Sequence, residues 1–113
     1  MAAWVSSNAG SQRLAKLALG LVETRGMVGA IEAADAMCKT AQVRLVRYEV
    51  TAAALVTVAV RGPVAEVEAA VAQGAHAAAR VGELLAQHVI PAPDDQIEGS
   101  LAAPGVFRTP PMY

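Results

Sequence analysis

The side chains able to do chemistry in this 113-residue chain are few and scattered. Cys38 is the single thiol and has no obvious base near it in sequence, so a nucleophilic pair is not indicated. His76 and His88 are the two imidazoles, and neither has a partner at the spacing that metal ligands adopt. Glu23, Glu32, Glu49 and Glu66 stand too far apart to argue a general acid and base pair. Gly26 and Gly29 are too sparse for a phosphate-cradling loop and lack the lysine that follows one. No Ser, His and Asp set is suggested. The residues therefore point to no catalytic site, no metal and no cofactor, and the expected role is not enzymatic.

The whole chain supports the same direction. A hydrophobic fraction of 55% rests mostly on Ala and Val with only 4% aromatics, a composition suited to close backbone packing and to surface kept for neighbours. A net charge of -1 provides no electrostatic drive towards nucleic acid or anionic membrane. The longest apolar runs fall well short of the ~18 residues that a spanning helix needs. Residues 1–10 lack the basic-then-apolar order of a secretory signal, and one cysteine agrees with a reducing compartment, so a cytoplasmic location is expected.

One domain fits this length, and periodicity places its elements. Residues 17–24 put Leu17, Leu19 and Leu21 on one face of a strand, with Gly20 allowing close approach on the other. From 27 to 41 the spacing becomes helical, and Met27, Ile31, Ala34 and Cys38 form the expected buried stripe. Asp35 and Lys39, four apart, suit a surface pair. Residues 42–50 alternate, with Leu45 and Arg47 opposed to Val46 and Tyr48. Residues 55–60 are nearly all β-formers, as in a strand covered on both faces. Pro63 suits the first position of a helix over 63–80 whose Val64, Val67, Val71, Ala75 and Ala78 face inwards. A fourth strand over 84–90 and a short turn over 94–98 complete the domain.

Strand, helix, strand, strand, helix, strand is the split βαβ, ferredoxin-like pattern of the α/β (α+β) class: an antiparallel sheet with two helices on one face. The open face is expected to be covered by other subunits. Residues 1–16, with Trp4 as a candidate anchor, form an N-terminal extension, 17–98 the domain, and 99–113 a Pro-containing C-terminal tail. One connection is unusual. Val50-Thr51-Ala52-Ala53-Ala54 joins two strands without the Gly, Asn or Asp that eases a tight reversal.

The segments Ala18-Leu19-Gly20-Leu21-Val22-Glu23-Thr24-Arg25-Gly26 and Ala30-Ile31-Glu32-Ala33-Ala34-Asp35-Ala36-Met37 resemble the opening of the bacterial microcompartment shell proteins. The match continues through Lys39, Val43, Tyr48-Glu49, Leu55-Val56-Thr57-Val58, Arg61-Gly62, Val64 and His88-Val89-Ile90-Pro91. The resemblance implies a single-domain subunit that assembles as a cyclic homo-hexamer and tiles shell facets beside other hexameric, trimeric and pentameric shell proteins, with encapsulated enzymes as possible further partners. It assigns Lys39 to the hexamer edge, where lateral tiling occurs. Two departures bear on how strongly hexamers tile: Gln42 stands where Asn is frequent, and Ala92 where an Arg between two prolines often supports the edge.

The resemblance also places the loop after the second strand at a central pore for small metabolites, which makes Thr51, Ala52, Ala53 and Ala54 the candidate lining. Relatives often carry a Gly-Ser-Gly type loop there. Alanine is strained at positive φ, so a different backbone path is expected of this one. Without a serine hydroxyl, only backbone groups and Thr51 remain to meet a passing solute. Two other readings stay open on the residues alone. A small-molecule-binding regulatory module of ferredoxin-like fold would need a polar cleft, and an acylphosphatase-like enzyme would need an Arg and Asn pair, for which Arg25 is the sole candidate in the first loop.

Overall fold

The computed structural model describes residues 17–99. The expected N-terminal extension, with Trp4, and the tail beyond Gly99 lie outside the described residues. Eight elements follow in order: β1 (Ala18–Arg25), α1 (Met27–Thr40), β2 (Arg44–Val50), a 3-10 turn (Ala52–Ala54), β3 (Leu55–Gly62), α2 (Val64–Val81), β4 (Glu83–Ile90) and α3 (Asp95–Glu98). The strands form one antiparallel sheet in the order β2-β3-β1-β4. This is the expected split βαβ arrangement, with α1 and α2 on one face.

Local chemistry explains the boundaries. Gly26, at φ +96, turns the chain out of β1, a conformation costly for any residue with a Cβ. Pro63 sits one position earlier than expected, as the N-cap of α2. Gly82 ends that helix with its N–H on Ala78 O (2.9 Å). Asp94 caps α3 by accepting the Gln96 N–H at 2.8 Å.

The main core lies between the sheet and the two long helices, where Val22, Val56, Val60, Val67, Met37 and Ala33 are buried. Gly20 lets α2 approach β1 as expected, since a Cβ there would lie 2.6 Å from Val71 Cγ2. The central strand β3 is buried over most of its length, in agreement with its unbroken run of β-formers.

The stripe expected on α1 is rotated. Gly29, Ala30, Ala33 and Met37 are buried, whereas Ile31 is 61% exposed and Cys38 is exposed. The cause is the helix pair. A Cβ on Gly74 of α2 would lie 2.5 Å from Met37 Cγ, so α1 turns its small residues and Met37 towards the small residues of α2. Met27, Ile31, Ala34 and Cys38 then line an open groove of about 590 Å³ with Leu45 and Tyr48. Val64, expected to face inwards on α2, is likewise 43% exposed.

A second correction concerns β2. Its register slips between Leu45 and Arg47, so Leu45 is opposite Val60 and Arg47 opposite Ala59. This bulge leaves Val46 with the buried cluster of the open face and puts Leu45 and Tyr48 together on the helix face. Strict alternation had set those two on opposite faces.

The open face is partly covered from within the chain. Leu19, Val46 and Ala59 are buried there, with Leu21, Ile90 and Ile97 of α3 packed around them. Beside them Arg61 is 3% exposed and donates to Ala18 O (3.1 Å), Leu17 O (2.8 Å) and both carboxylate oxygens of Glu98 (2.6 and 2.8 Å). One guanidinium thereby ties the beginning of the domain to its end.

Candidate functional site

The candidate residues occupy opposite ends of the strands. Arg25, Leu55 and Glu83 share one rung of the sheet, and Ala52–Ala54 projects beyond it. Arg44, Arg61, Leu19 and Ile90 share the rung at the other end, near Lys39, Gln42 and Ala92. Along β3 the two rungs are about 20 Å apart at ~3.3 Å per residue.

At the first end, Thr51, Ala52, Ala53 and Ala54 are all exposed. Ala53 has φ 64 and ψ 25, and Ala54 has φ 62. The expected alternative path is not taken. Both alanines are left-handed, at a cost of about 1 kcal/mol or more each. Hydrogen bonds hold them there. Gly26 N–H donates to Ala54 O at 2.7 Å, Arg25 Nη1 to Ala53 O at 3.3 Å, and Thr51 N–H to Leu55 O at 2.9 Å. Arg25 is in turn held by Glu83, its Nε 3.2 Å from Oε1. The Thr51 hydroxyl lies 3.4 Å from Leu55 O.

At the second end, Lys39 is exposed in the last turn of α1 and pairs with Asp35 at 3.0 Å, the partner that its spacing suggests. Hydrogen bonding to Asp35 raises the lysine's pKa, and the carboxylate's charge adds to the shift. Gln42 is exposed just beyond α1, and its backbone N–H donates to Glu66 Oε1 at 2.7 Å. Ala92 is exposed between Pro91 and buried Pro93. It follows β4, the edge strand opposite β2, whereas Lys39 and Gln42 precede β2. Lys39 and Gln42 are thus neighbours, and Ala92 is set apart from them within one subunit.

The remaining reactive groups do not converge. Among the described residues no three of His, Cys, Asp and Glu gather where a metal would be held. His76 and His88 are exposed on different elements. Glu23 accepts a long bond from the Thr57 hydroxyl (3.4 Å). The pKa of Cys38 is raised, chiefly because the groove partly desolvates it; a backbone hydrogen bond at Leu45 opposes this and the Asp35 charge adds to it. Arg25, the candidate phosphate ligand of the acylphosphatase-like reading, is engaged by Glu83 and Ala53.

Sequence reasoning missed two contributors. Arg61 enters the sequence reading only through the Arg61-Gly62 segment of the resemblance, and its partner Glu98 is 37 positions away. Arg25 was not connected with the loop 28 positions downstream. The unbroken Leu-Val-Thr-Val-Ala-Val-Arg run was the one available signal for Arg61, since a charge continuing a doubly covered strand needs a buried partner.

Comparisons with known proteins agree with this architecture. Residues 18–93 match the BMC domain. The bacterial microcompartment shell protein PduA of Citrobacter freundii is 58% identical over 81 residues, covering 72% of this chain and 87% of that protein. The carboxysome shell protein CsoS1C of Hydrogenovibrio crunogenus is 54% identical over 87 residues, covering 76% and 85%. A solved microcompartment protein from Desulfitobacterium hafniense DCB superposes with a TM-score of 0.66 at 35% identity, over 74% of this chain and 45% of that one. The fold, the extent of the domain match and the identity to these relatives together place the chain in the BMC domain family of bacterial microcompartment shell proteins.

Proposed function

We infer that this protein is a structural subunit of a bacterial microcompartment shell, and that six copies form a tile around a central aperture. The observation that carries the reading is the BMC domain match over 18–93, nearly the whole of the described fold, with relatives that are themselves shell proteins. Its role is structural, and its place is the shell within the cytoplasm. Thr51, Ala52, Ala53 and Ala54 line the aperture, while Lys39 and Gln42, with Ala92 of a neighbouring tile, meet at the edge.

The state of the loop supports a particular kind of aperture. The carbonyl oxygens of Ala53 and Ala54, the groups that would replace water around a cation, already accept bonds from Arg25 and Gly26. Methyl groups, N–H groups and the carbonyls of Thr51 and Ala52 remain, together with the Thr51 hydroxyl. Such a rim passes small uncharged or anionic metabolites more readily than cations or bulky cofactors.

A small-molecule regulatory module is less well supported, because the groove beside α1 is lined mainly by apolar side chains such as Met27, Ile31 and Leu45. Size-exclusion chromatography and electron microscopy of the purified chain test the structural reading. Hexamers that grow into sheets or tubes are expected; a monomer that forms neither overturns it.

A further inference from the structure

We propose that Arg25 is a positioning residue for the rim: together with Gly26 it locks Ala53 and Ala54 in their left-handed conformation and keeps their carbonyl oxygens out of the aperture. The proposal rests on the pore reading only for its effect on solutes; the lock itself belongs to one subunit.

Strained backbone persists only where its surroundings over-determine it. Two consecutive left-handed alanines therefore need a cause, and the turn residues that usually provide one are absent. The cause visible in the structure is the corner between β1 and α1. Thr24 is fully buried and donates its hydroxyl to Gly26 O at 2.9 Å, which fixes the corner. Gly26 adopts φ +96, a conformation suited to glycine, and from it directs its N–H onto Ala54 O at 2.7 Å.

Arg25 completes the lock with the two limbs of its guanidinium. Nη1 donates to Ala53 O at 3.3 Å while Nε lies 3.2 Å from Glu83 Oε1 at the start of β4. A guanidinium offers donors in a fixed fork, so anchoring one limb on Glu83 orients the other. A lysine retains the charge and loses the fork. The corner, the rim and the beginning of β4 thus form one hydrogen-bonded unit.

The test uses full-length hexamers and shells containing this subunit, with Arg25→Ala, Arg25→Lys and, as a separate probe of the rim, Ala53→Ser. Two quantities are read: amide hydrogen exchange at Gly26 and Thr51, and the ratio of acetate to acetamide flux, two solutes of equal size and different charge. Both Arg25 variants are expected to keep the hexamer. They should raise exchange at the two amides about three- to tenfold, the size of effect expected for one lost hydrogen bond. They should also lower the acetate-to-acetamide ratio about twofold or more as carbonyl oxygens turn towards the aperture. A lowered ratio in Arg25→Lys separates rim geometry from charge and from simple loss of stability.

Wild-type exchange and an unchanged flux ratio in both Arg25 variants overturn the proposal. If Ala53→Ser shifts the ratio in that case, the pore reading survives without the lock. Raised exchange with a ratio that neither Arg25→Lys nor Ala53→Ser alters overturns the pore reading and keeps the lock.

Discussion

The two ends of the sheet are built from opposite materials. At the rim, Ala52–Ala54 has no functional side chain, and its shape is held by backbone carbonyls that bond to Gly26 and Arg25. At the edge, shape comes from the sheet, and charged groups stand on it: Lys39 with Asp35, Glu66 on the Gln42 amide, and Arg61 with Glu98 beneath. The contrast teaches that one small domain can shape one end of its sheet with backbone groups and the other with charged side chains. Strain is tolerable at the rim because the loop is exposed and well bonded. Charge is tolerable at the edge because each of these three groups has a partner.

The sharpest way to break this contrast is Lys39→Ala. If side chains make the edge, hexamers should survive and extended sheets should disappear in electron micrographs; sheets of unchanged extent would remove Lys39 from the edge. Glu98→Gln comes next, because it leaves the buried Arg61 guanidinium short of its counter-charge. A loss of about 2–4 kcal/mol in chemical denaturation is expected. A change below about 1 kcal/mol would mean that the carbonyls of Leu17 and Ala18 suffice.

At the rim the effect should be smaller and of opposite sign. Ala53→Gly removes the Cβ responsible for the strain, at the cost of a more flexible unfolded chain, and is expected to stabilise the protein by about 0.5–1 kcal/mol. Destabilisation on denaturant titration would mean that Ala53 is not left-handed in solution.

The smallest effect concerns pH at the edge. Lys39 has a raised folded pKa, so the contribution of its pair with Asp35 is complete below the ordinary lysine value of 10.5 and fades as pH rises through the folded value. Sheet assembly should therefore vary little around neutral pH and weaken only under strongly alkaline conditions. Light scattering across that range checks this, and dissolution near neutrality would point to a different titrating group.

Much of the molecule could be read before the structure. The order of elements followed from periodicity, Gly20 from its place in a strand, and the Asp35 and Lys39 pair from helical spacing. The face of α1 could not be read this way, because Met27, Ile31, Ala34 and Cys38 satisfy the same spacing as the residues that are buried. Which set turns inwards depends on how closely α2 approaches, and that is decided at Gly74. The bulge in β2 was hidden for a related reason, since alternation carries no mark of a skipped residue.

The sequence by itself determined the split βαβ order, the family, and the position of a loop of three alanines between two strands. Its residue types also left that loop without side-chain chemistry. Only the tertiary structure decided the loop's conformation. Local preference opposes left-handed alanine, and the bonds that overcome it come from a corner nearly thirty residues away in sequence. The same holds for Arg61, whose buried charge is compensated by a carboxylate that only the folded chain brings to it.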